Sequence, residues 1–511
     1  MYIVRVIPLK RKIPGGELTY ISKEPLNIGD IVLVPLKKSF EQVLVVEQND
    51  VSKEKEYIKS ISFKLTTLAT PEIISKIDKK VLKTILDFAT YSICQKDKII
   101  RSLFNKLKFN KFDLSKEIVL ESPKRLSVYG KNYLGFDPVV FFILLAHNLK
   151  IPIYFGKSSY LLAYKEWDIK PDKETTHDSY QIDIIIRDEE DHIDKANPLS
   201  KELLDILKKN TLSKKRILIV SSIKNFAPKS ICHDCKTIHI CDKCNKPLVL
   251  VKNNRNYAKK YGIAGDYIYV CSNCNTASHS IAKCRNCDSW HLVPLGYGTE
   301  RIVEQLQNSL SKPDFKTVYD MTERIGVKNL KLWNDQGGIV IIRPNYISEI
   351  QQSDIAIIPS ISPLIYSKSF ESAESARNLM SELTLTSHEI HLTVMNQEEK
   401  YFLEEDSATW QKNEITDRKD LYYPPYARYI KIELDSYTSK SYSIIDAVFK
   451  IVEKLAIPGT VSKDKNYLLN VTIEASFDFE NWSLFNNNYK TAEILTNALS
   501  PFLNHLKIEV S

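Results

Sequence analysis

The stretch CHDCKTIHICDKCNKPLVL, residues 232–250, holds four cysteines in two C-x₂-C pairs that only five residues separate. Two further pairs follow at Cys271/Cys274 and Cys284/Cys287. Two cysteines three positions apart on a tight turn can direct both thiolates at one metal ion. Because each Cys₄ site needs two such turns, the four pairs predict two zinc sites.

The composition of these sites predicts a structural role for the metal. A Cys₄ shell leaves no open coordination position for water or substrate. Four clustered pairs also differ from the single C-x-x-C motif of a redox site. His233, His239 and His279 are expected to be bystanders, because eight thiolates already fill two tetrahedra. Spacing alone leaves two sharing schemes open, which are sequential (first pair with second) or nested (outer pairs together, inner pairs together).

The composition of the 511-residue chain is that of a globular protein with several domains, at 43% hydrophobic and 26% charged residues. A net charge of +8 permits a nucleic-acid partner without demanding one. The start MYIVRVIPLK does not have the pattern of a signal peptide, and the longest apolar run, residues 139–146, is too short to span a bilayer. We therefore expect a cytoplasmic protein with reduced thiols and no membrane partner.

Hydrophobic periodicity divides the chain into regions of different type. Residues 1–50 alternate apolar and polar positions, which predicts a small β-barrel or sheet, and residues 70–107 have a helical period. From residue 118 strands alternate with helices, which predicts a mostly parallel sheet interrupted by the cysteine region. Residues 427–510 have the strand-helix-strand-strand-helix-strand order of a ferredoxin-like domain.

The segment after the last cysteine pair carries a family resemblance. HLVPLGYGTERIVEQL, residues 291–306, following four C-x₂-C pairs, is similar to the bacterial replication-restart helicase family of primosomal protein N′ (PriA). RILIVSSIKNFAP (216–228) resembles the family's strand and N-R-R-G-Y/F-A-P turn, and RKDLYYPPYAR (418–428) its R-R-x-x-x-Y-P-P-F/Y-x-R phrase. GELTYI (16–21) and GDIVLVPL (29–36) are similar to its N-terminal segments.

This resemblance implies a multidomain α/β fold and nested zinc sharing. Cys232, Cys235, Cys284 and Cys287 would hold one ion, and Cys241, Cys244, Cys271 and Cys274 the other. The implied domains are a small β-rich 3′-DNA-binding-like domain (1–107), a remnant of helicase lobe 1 (108–175), a lobe 2-like parallel α/β domain (176–230 and 295–400), the zinc-binding insertion (231–294) and a C-terminal ferredoxin-like α+β domain (401–511).

The family hydrolyses ATP, and the corresponding motifs are missing from this sequence. The nearest candidate for a phosphate loop, Gly156-Lys157-Ser158, lacks the first glycine of G-x-x-x-x-G-K-[ST] and follows a strand directly. The family's D-E-E-H motif falls at 120–123, where one carboxylate remains, and its G-T-Q segment reads Arg343-Pro344-Asn345. Its Q-V-A-G-R-A-G-R segment falls near 381–386, where no arginine remains.

By comparison with the family, a large segment is missing between about residues 108 and 118. The missing segment comprises the winged-helix region and most of the first helicase lobe. We therefore expect no nucleotide-binding residue, no catalytic residue and no ATP cofactor.

The family's pocket for a nucleic-acid 3′ end is also partly eroded. Its Phe-Asp pair aligns with Leu18-Thr19 and one of its glycines with Lys37, whereas Tyr20 and Pro35 match, with a structural role as the alternative. Candidate DNA contacts, with surface lysines of no role as the alternative, are Lys37, Lys38, Lys59, Lys259 and Lys260. The last two lie beside Tyr257 and Tyr261 in a long spacer, a mixture that suits single-stranded nucleic acid, with a solvated loop as the alternative.

These observations predict a DNA-binding factor of replication restart that binds single-stranded or forked DNA without unwinding it. Replication-restart and single-strand-binding proteins are the expected protein partners. One alternative is an active 3′-5′ helicase with an unconventional nucleotide site. The other is a zinc-containing nucleic-acid or protein adaptor outside replication.

Overall fold

A computed structural model of the protein describes the chain with internal gaps. The residues outside the description are 11–12, 14–15, 37–38, 61–64, 108–115, 121–125, 127–133, 135, 156–169, 172–180, 187–196, 244–245, 272–273, 368, 435–440, 464–471, 484–485 and 487. The described part is an α/β structure with several separate sheets, as expected from the sequence. None of the described helices combines the length and the apolarity needed to cross a bilayer.

The first sheet is mostly antiparallel and has the order β5-β2-β1-β4-β3-β6. Its strands are β1 (Tyr2–Pro8), β2 (Leu18–Ser22), β3 (Asp30–Leu36), β4 (Ser39–Asp50), β5 (Thr66–Leu68) and β6 (Glu72–Lys76), with helix α1 (Lys55–Ser60) before β5. Alternation places valines of β1, β3 and β4 on one buried face. This confirms the predicted sheet at the start of the chain.

Helices and a small parallel sheet follow. They are α2 (Lys79–Tyr91), α3 (Lys96–Arg101), a π-helical segment (Ser102–Leu107), β7 (Ile118–Leu120), α4 (Pro138–Leu149), β8 (Ile153–Phe155) and β9 (Lys170–Pro171). The strands pair in parallel in the order β7-β8-β9. Helix α4 is buried on all sides from Pro138 to Ala146, which explains its continuous apolar sequence.

A second six-stranded sheet has only parallel pairs, with the order β10-β20-β19-β11-β18-β17. Its strands are β10 (Gln181–Ile186), β11 (Arg216–Val220), β17 (Val318–Asp320), β18 (Gly338–Ile342), β19 (Ser353–Ile358) and β20 (Ser387–Val394). The predicted parallel sheet is therefore confirmed. The strands are isoleucine-rich because both faces are buried.

Helices cover both faces of this sheet. Helices α5 (Lys201–Leu212) and α7 (Thr299–Ser309) pack on one face. Helices α9 (Val327–Gln336) and α11 (Ser372–Thr386) pack on the other. Short helices α8 (Lys312–Phe315) and α10 (Ser362–Ile365) and a 3₁₀ helix (Pro344–Glu349) lie in the connections.

The cysteine region lies between β11 and α7, so it interrupts the elements of one sheet as predicted. It contains β12 (Lys229–Cys232), β13 (Leu248–Lys252), α6 (Arg255–Tyr261), β14 (Tyr267–Cys271), β15 (Ala277–His279) and β16 (Leu292–Leu295). Strands β12 and β16 form an antiparallel pair, and β13, β14 and β15 form a three-stranded antiparallel sheet.

The last sheet is antiparallel with the order β22-β23-β21-β24. Its elements are β21 (Ala427–Leu434), α14 (Ser441–Glu453), β22 (Ser462–Lys463), β23 (Ile473–Asp478), α15 (Lys490–Leu499) and β24 (Leu506–Val510), in the predicted chain order. Helices α12 (Gln397–Glu404) and α13 (Ser407–Asp420) precede it and, like α9, are absent from the sequence predictions.

One apolar cluster connects distant parts of the chain. It contains residues of α2, α4, β7 and β8 together with residues of the last sheet and of α14 and α15. The division into five domains stays a prediction, because sheet membership does not by itself set domain boundaries.

Candidate metal centres and nucleic-acid surface

The cysteine insertion is anchored on helix α7 of the parallel sheet. The Tyr267 hydroxyl donates to Glu304 Oε2 at 2.5 Å, and the backbone N–H of Lys252 donates to Glu300 Oε2 at 2.7 Å. Burial and the Glu304 carboxylate raise the pKa of Tyr267, which therefore stays protonated as the donor. These contacts fix the insertion against a rigid helix.

The GYGTE phrase has a steric explanation at its second glycine. Gly298 is the N-cap of α7, and a Cβ atom there would lie 1.9 Å from the carbonyl oxygen of Asn225. The backbone N–H groups of Gly298 and Glu300 donate to the carbonyls of Phe226 and Asn225, both at 3.0 Å. The NFAP turn and GYGTE are thus two sides of one contact, which a side chain at 298 would separate.

The cysteine turns share one backbone design. In three of them, the N–H of the first cysteine donates to the carbonyl five residues later, and its own carbonyl accepts from the residue four positions later. That fourth residue has a positive φ in each case, at Lys236, Asn275 and Asp288. The tight turn directs both sulfur atoms of a pair into the same cluster. In the turn that starts at Cys241, the bond from its N–H to the Lys246 carbonyl is present at 2.8 Å.

The first and fourth pairs form a cluster of four thiols. The Sγ atoms of Cys232, Cys235, Cys284 and Cys287 all lie within 4.8 Å of one another. Cys232 and Cys287 are 3.5 Å apart, as are Cys235 and Cys284. A disulfide would require about 2.05 Å between sulfurs. Tetrahedral ligands at about 2.3 Å from zinc lie roughly 3.8 Å apart, so the observed spacing fits a metal cage.

The second and third pairs meet in a separate cluster. The Sγ atoms of Cys241, Cys271 and Cys274 lie within 4.8 Å of one another, with 3.5 Å between Cys241 and Cys274. Cys244, the predicted fourth ligand, lies outside the described residues. The thiols of this second cluster are positioned to hold a metal ion together with one further ligand.

Strand pairing explains this nested grouping. The register of β12 and β16 places Cys232 opposite Leu292, next to the last cysteine pair. The register of β13 and β14 places Leu248 opposite Cys271, which brings the third pair to the second. The two sheets thus bring the outer pairs together and the inner pairs together.

The thiols of the clusters titrate unequally. The hydroxyl and backbone N–H of Thr237 lower the pKa of Cys235 to about 5. Burial raises the pKa of Cys274, but hydrogen bonds to Thr276 outweigh it and bring the pKa to about 6. The backbone N–H of Ser289 lowers the pKa of Cys287, but hydrogen bonds to neighbouring cysteine sulfurs outweigh it and raise the pKa to about 12. Without a bound cation Cys287 therefore keeps its proton, and a metal ion at the cluster would favour the thiolate form of all four cysteines.

Histidine ligands are absent from both cysteine clusters as far as the described residues extend. His239 is buried instead against the ring of Tyr269, with the ring centroids 4.6 Å apart. Burial lowers the pKa of His239, so its ring stays neutral. This side chain therefore packs on Tyr269 within the insertion.

The candidate DNA-binding lysines lie on separate elements. Lys59 is exposed on α1, and Lys259 and Lys260 are exposed on α6. Lys37 and Lys38 lie outside the described residues. Tyr20 is buried and donates its hydroxyl to the Pro35 carbonyl at 2.9 Å, which gives both residues a structural role.

The two tyrosines of α6 are not exposed for stacking with nucleic-acid bases, contrary to what the sequence had suggested. Tyr257 and Tyr261 are half-buried and pack against Val251, Ile268 and Val270 of the three-stranded sheet. Their spacing of four residues places both rings on one face of the helix, 6.1 Å apart. The helix therefore presents its lysines to solvent and uses its aromatic face for packing.

The two arginines nearest to the missing nucleotide motifs have structural contacts. Arg343 donates from Nε to the Thr322 carbonyl at 2.5 Å. Arg377, one turn before the segment without arginines, is buried between the rings of Phe402 and Trp410 and donates to the carbonyl of Glu405 at 2.7 Å. The Gly156-Lys157-Ser158 and Glu121 positions lie outside the described residues.

One group of polar side chains was not predicted from the sequence. Asp183, Glu389 and His391 come together on the adjacent strands β10 and β20, where Asp183 is in register with His391. His391 Nε2 lies 2.7 Å from Glu389 and Nδ1 lies 3.4 Å from Asp183. Both ring nitrogens therefore face carboxylates. The signal was inaccessible without the strand order, because the residues are some two hundred positions apart.

Sequence comparison finds a partial relative. A segment of 111 residues is 30% identical to replication restart protein PriA of Haemophilus influenzae, and it covers 22% of this chain and 14% of that protein. The match thus spans about a seventh of the relative's length. No protein-family model matches the chain. Part of this chain is therefore similar to PriA.

Proposed function

We propose that this protein is a DNA-binding factor of replication restart, related to PriA, that binds single-stranded or forked DNA without hydrolysing ATP. The observation that carries the proposal is the nested set of cysteine pairs on an insertion anchored to a parallel sheet. The partial identity to PriA supports the same conclusion. In this reading the parallel sheet corresponds to helicase lobe 2 and the last sheet to a ferredoxin-like domain.

Two structural zinc ions are part of the proposal. Cys232, Cys235, Cys284 and Cys287 would hold one ion, and Cys241, Cys244, Cys271 and Cys274 the other. Zinc would cross-link the cysteine turns, in addition to the two small apolar clusters that the insertion buries. The insertion would then be a rigid platform for DNA or for replication-restart proteins.

Loss of ATP hydrolysis is proposed from the sequence motifs and from the arginines. The sequence has no G-x-x-x-x-G-K-[ST] loop, and phosphoryl transfer needs such a cradle and a positive charge at the transferred phosphate. Arg377 is engaged with backbone carbonyls and aromatic rings. The alternative is an active helicase with an unconventional nucleotide site.

The proposed function is tested with a labelled forked DNA, its single-stranded arm and an RNA of the same sequence. We expect salt-sensitive binding to DNA, weaker binding to RNA, and no DNA-stimulated ATP hydrolysis above background. ATP hydrolysis that disappears in a Lys157→Ala variant would establish the helicase alternative. Equal affinity for DNA and RNA would instead favour an adaptor outside replication.

The proposed DNA surface is tested separately with charge removal. Lys259→Gln combined with Lys260→Gln should reduce the slope of log affinity against log salt by roughly one to two, because two phosphate contacts are lost. Lys312→Gln together with Lys316→Gln, two exposed lysines on helix α8 and at its end, is the matched control. An unchanged slope in the first variant would exclude α6 from the interface.

A further inference from the structure

A crevice of about 240 Å³ opens where strands β11, β19 and β20 end. Its lining includes Ser222 after β11, Ser360 after β19 and Met395 after β20. Gly296 and Tyr297, which precede α7, form another side. The crevice therefore lies at the carboxyl edge of the parallel sheet.

The strand order explains why the sheet opens at this point. Strands β11 and β19 are neighbours in the sheet. The helix that follows β11 in the sheet, α7, packs on one face, whereas the helix that follows β19, α11, packs on the other. The two chain segments diverge above the strand ends, and open α/β sheets bind ligands in such crevices.

The lining is uncharged and rich in hydroxyl groups. It contains four serines, Ser221, Ser222, Ser360 and Ser362, and among the lining residues the structure describes there is no Asp, Glu, Lys, Arg or His. Ser221 already donates to the Ile223 carbonyl at 3.1 Å. The buried Oγ of Ser222 has no hydrogen-bond partner among the described residues. A ligand with a hydrogen-bonding edge would give the Ser222 Oγ a partner inside the crevice.

We propose that this crevice binds a single base of single-stranded DNA, an inference that rests on the proposed function. The rings of Tyr297, Pro359 and Pro363 and the thioether of Met395 offer apolar contacts to a planar heterocycle. Hydroxyl groups both donate and accept hydrogen bonds, so the same lining accommodates any base. The backbone N–H groups of Gly298, Thr299 and Glu300 at the start of α7 already donate to carbonyls, so they are not free to bind phosphate. The base is therefore the part of the nucleotide that we place in the crevice.

The surroundings of the crevice suit the strand that would carry this base. The guanidinium of Arg301 lies over the Tyr297 ring at 5.6 Å and 3.5 Å from the Gly296 carbonyl. Lys224 follows the lining residue Ile223 and is partly exposed, in an ion pair with Glu323 at 3.0 Å. These two positive charges lie next to uncharged lining residues, where the phosphates on either side of an inserted base would run.

The test uses the full chain and a single-stranded oligonucleotide that carries one 2-aminopurine and an end fluorophore. Anisotropy of the fluorophore reports DNA binding, and 2-aminopurine fluorescence reports the surroundings of the base. Ser222→Leu should fill the crevice, remove the 2-aminopurine response and lower DNA affinity about tenfold, because one base contact is lost.

Two further variants separate binding from folding. Ser222→Ala removes only the hydroxyl, so we expect unchanged or higher thermal stability together with a reduced 2-aminopurine response. Ser483→Ala removes another buried hydroxyl, in the C-terminal region, that has no partner among the residues the structure describes. It should leave both signals as in the wild type. Lower stability in Ser222→Ala would show that the hydroxyl serves the fold.

The outcomes distinguish this inference from the proposed function. Wild-type DNA binding with identical 2-aminopurine signals in Ser222→Leu would overturn the inference and leave the proposed function intact. Absence of any DNA binding by the wild type would overturn both. Binding of free 2-aminopurine riboside that Ser222→Leu abolishes, with DNA affinity unchanged, would show that the crevice serves a free nucleoside and would also overturn the inference.

Discussion

The indole N–H of Trp482 donates a hydrogen bond to the carbonyl of Tyr91 at 3.2 Å, across 391 positions of the chain. Their rings meet edge to face with centroids 6.2 Å apart. Arg428, which ends the phrase RKDLYYPPYAR, donates to the Trp482 carbonyl at 3.1 Å and lies over the Tyr91 ring. This contact fastens the last sheet to helix α2 near the start of the chain.

Trp482→Phe should destabilise the protein by about 1 kcal/mol, because the buried Tyr91 carbonyl loses its donor. Trp482→Ala should cost about 3–5 kcal/mol, since it also leaves a cavity. Trp290, which is 58% exposed, is the matched control, and Trp290→Phe should stay within about 0.5 kcal/mol. Chemical denaturation measures all three, and equal effects at 482 and 290 would contradict the contact.

Arg418 is buried between two carboxylates, at 2.9 Å from Glu374 and 2.8 Å from Glu414. Arg418→Met should lower the free energy of unfolding by about 3–5 kcal/mol, because Glu374 is left buried and unpaired. Lys400→Gln breaks the partly exposed pair with Glu404 and should cost under about 1 kcal/mol. Similar losses in urea titrations of the two variants would rule out a buried ion pair at Arg418.

Gly298→Ala should cost about 1–3 kcal/mol, because its Cβ would overlap the Asn225 carbonyl oxygen. Gly326 is also an N-cap glycine with nearly the same φ, but the nearest atom to its Cβ would be 3.7 Å away. Gly326→Ala should therefore cost under about 1 kcal/mol. Thermal denaturation of the two variants isolates the steric effect, and matching melting temperatures would refute it.

Nested sharing predicts that Cys235→Ser combined with Cys284→Ser removes one zinc ion and leaves the other, because both cysteines belong to the same cluster. Sequential sharing would damage both sites with the same two changes. Elemental analysis of purified protein should give two zinc ions for the wild type and one for the double variant. The control is Cys94→Ser, which changes the cysteine outside the four C-x₂-C pairs and should keep two zinc ions. A double variant without zinc would favour sequential sharing.

Protonation of Asp354 should reduce the stability of the folded protein in acid. Burial raises the pKa of its carboxyl, but hydrogen bonds from Arg216 outweigh it and hold the pKa below the usual value. A depressed pKa stabilises the fold above the unfolded-state value of about 3.9, and this contribution disappears as the pH falls through the folded-state pKa. The Asp354→Asn melting temperature should therefore lie below wild type at pH 7 and approach it near pH 3.

The control for this pH effect is Asp335→Asn on the exposed end of α9. Its melting temperature should stay close to that of the wild type, because substitution of an exposed side chain removes few contacts. A constant offset between Asp354→Asn and wild type from pH 7 to pH 3 would contradict the titration of Asp354.

Local pattern alone predicted much of the architecture. The alternation in residues 1–50, the isoleucine-rich strands of the parallel sheet and the order of the last six elements all appear in the structure. Helix α9 was missed because its apolar positions are few, with Trp333 as its buried residue. Helices α12 and α13 are mostly polar and exposed, so their periodicity carries little signal.

The sequence by itself determined that eight cysteines fall in four C-x₂-C pairs, because this spacing is a local feature of the chain. Residue spacing left two sharing schemes open, and strand register decided which pairs meet. The register joins Cys232 with Leu292, 60 positions apart, and Leu248 with Cys271, 23 positions apart. The tertiary structure also decided that Tyr257 and Tyr261 pack inward, that Arg418 and Arg428 are buried, and that a crevice opens between β11 and β19. These properties depend on long-range contacts, which residue spacing along a chain does not encode.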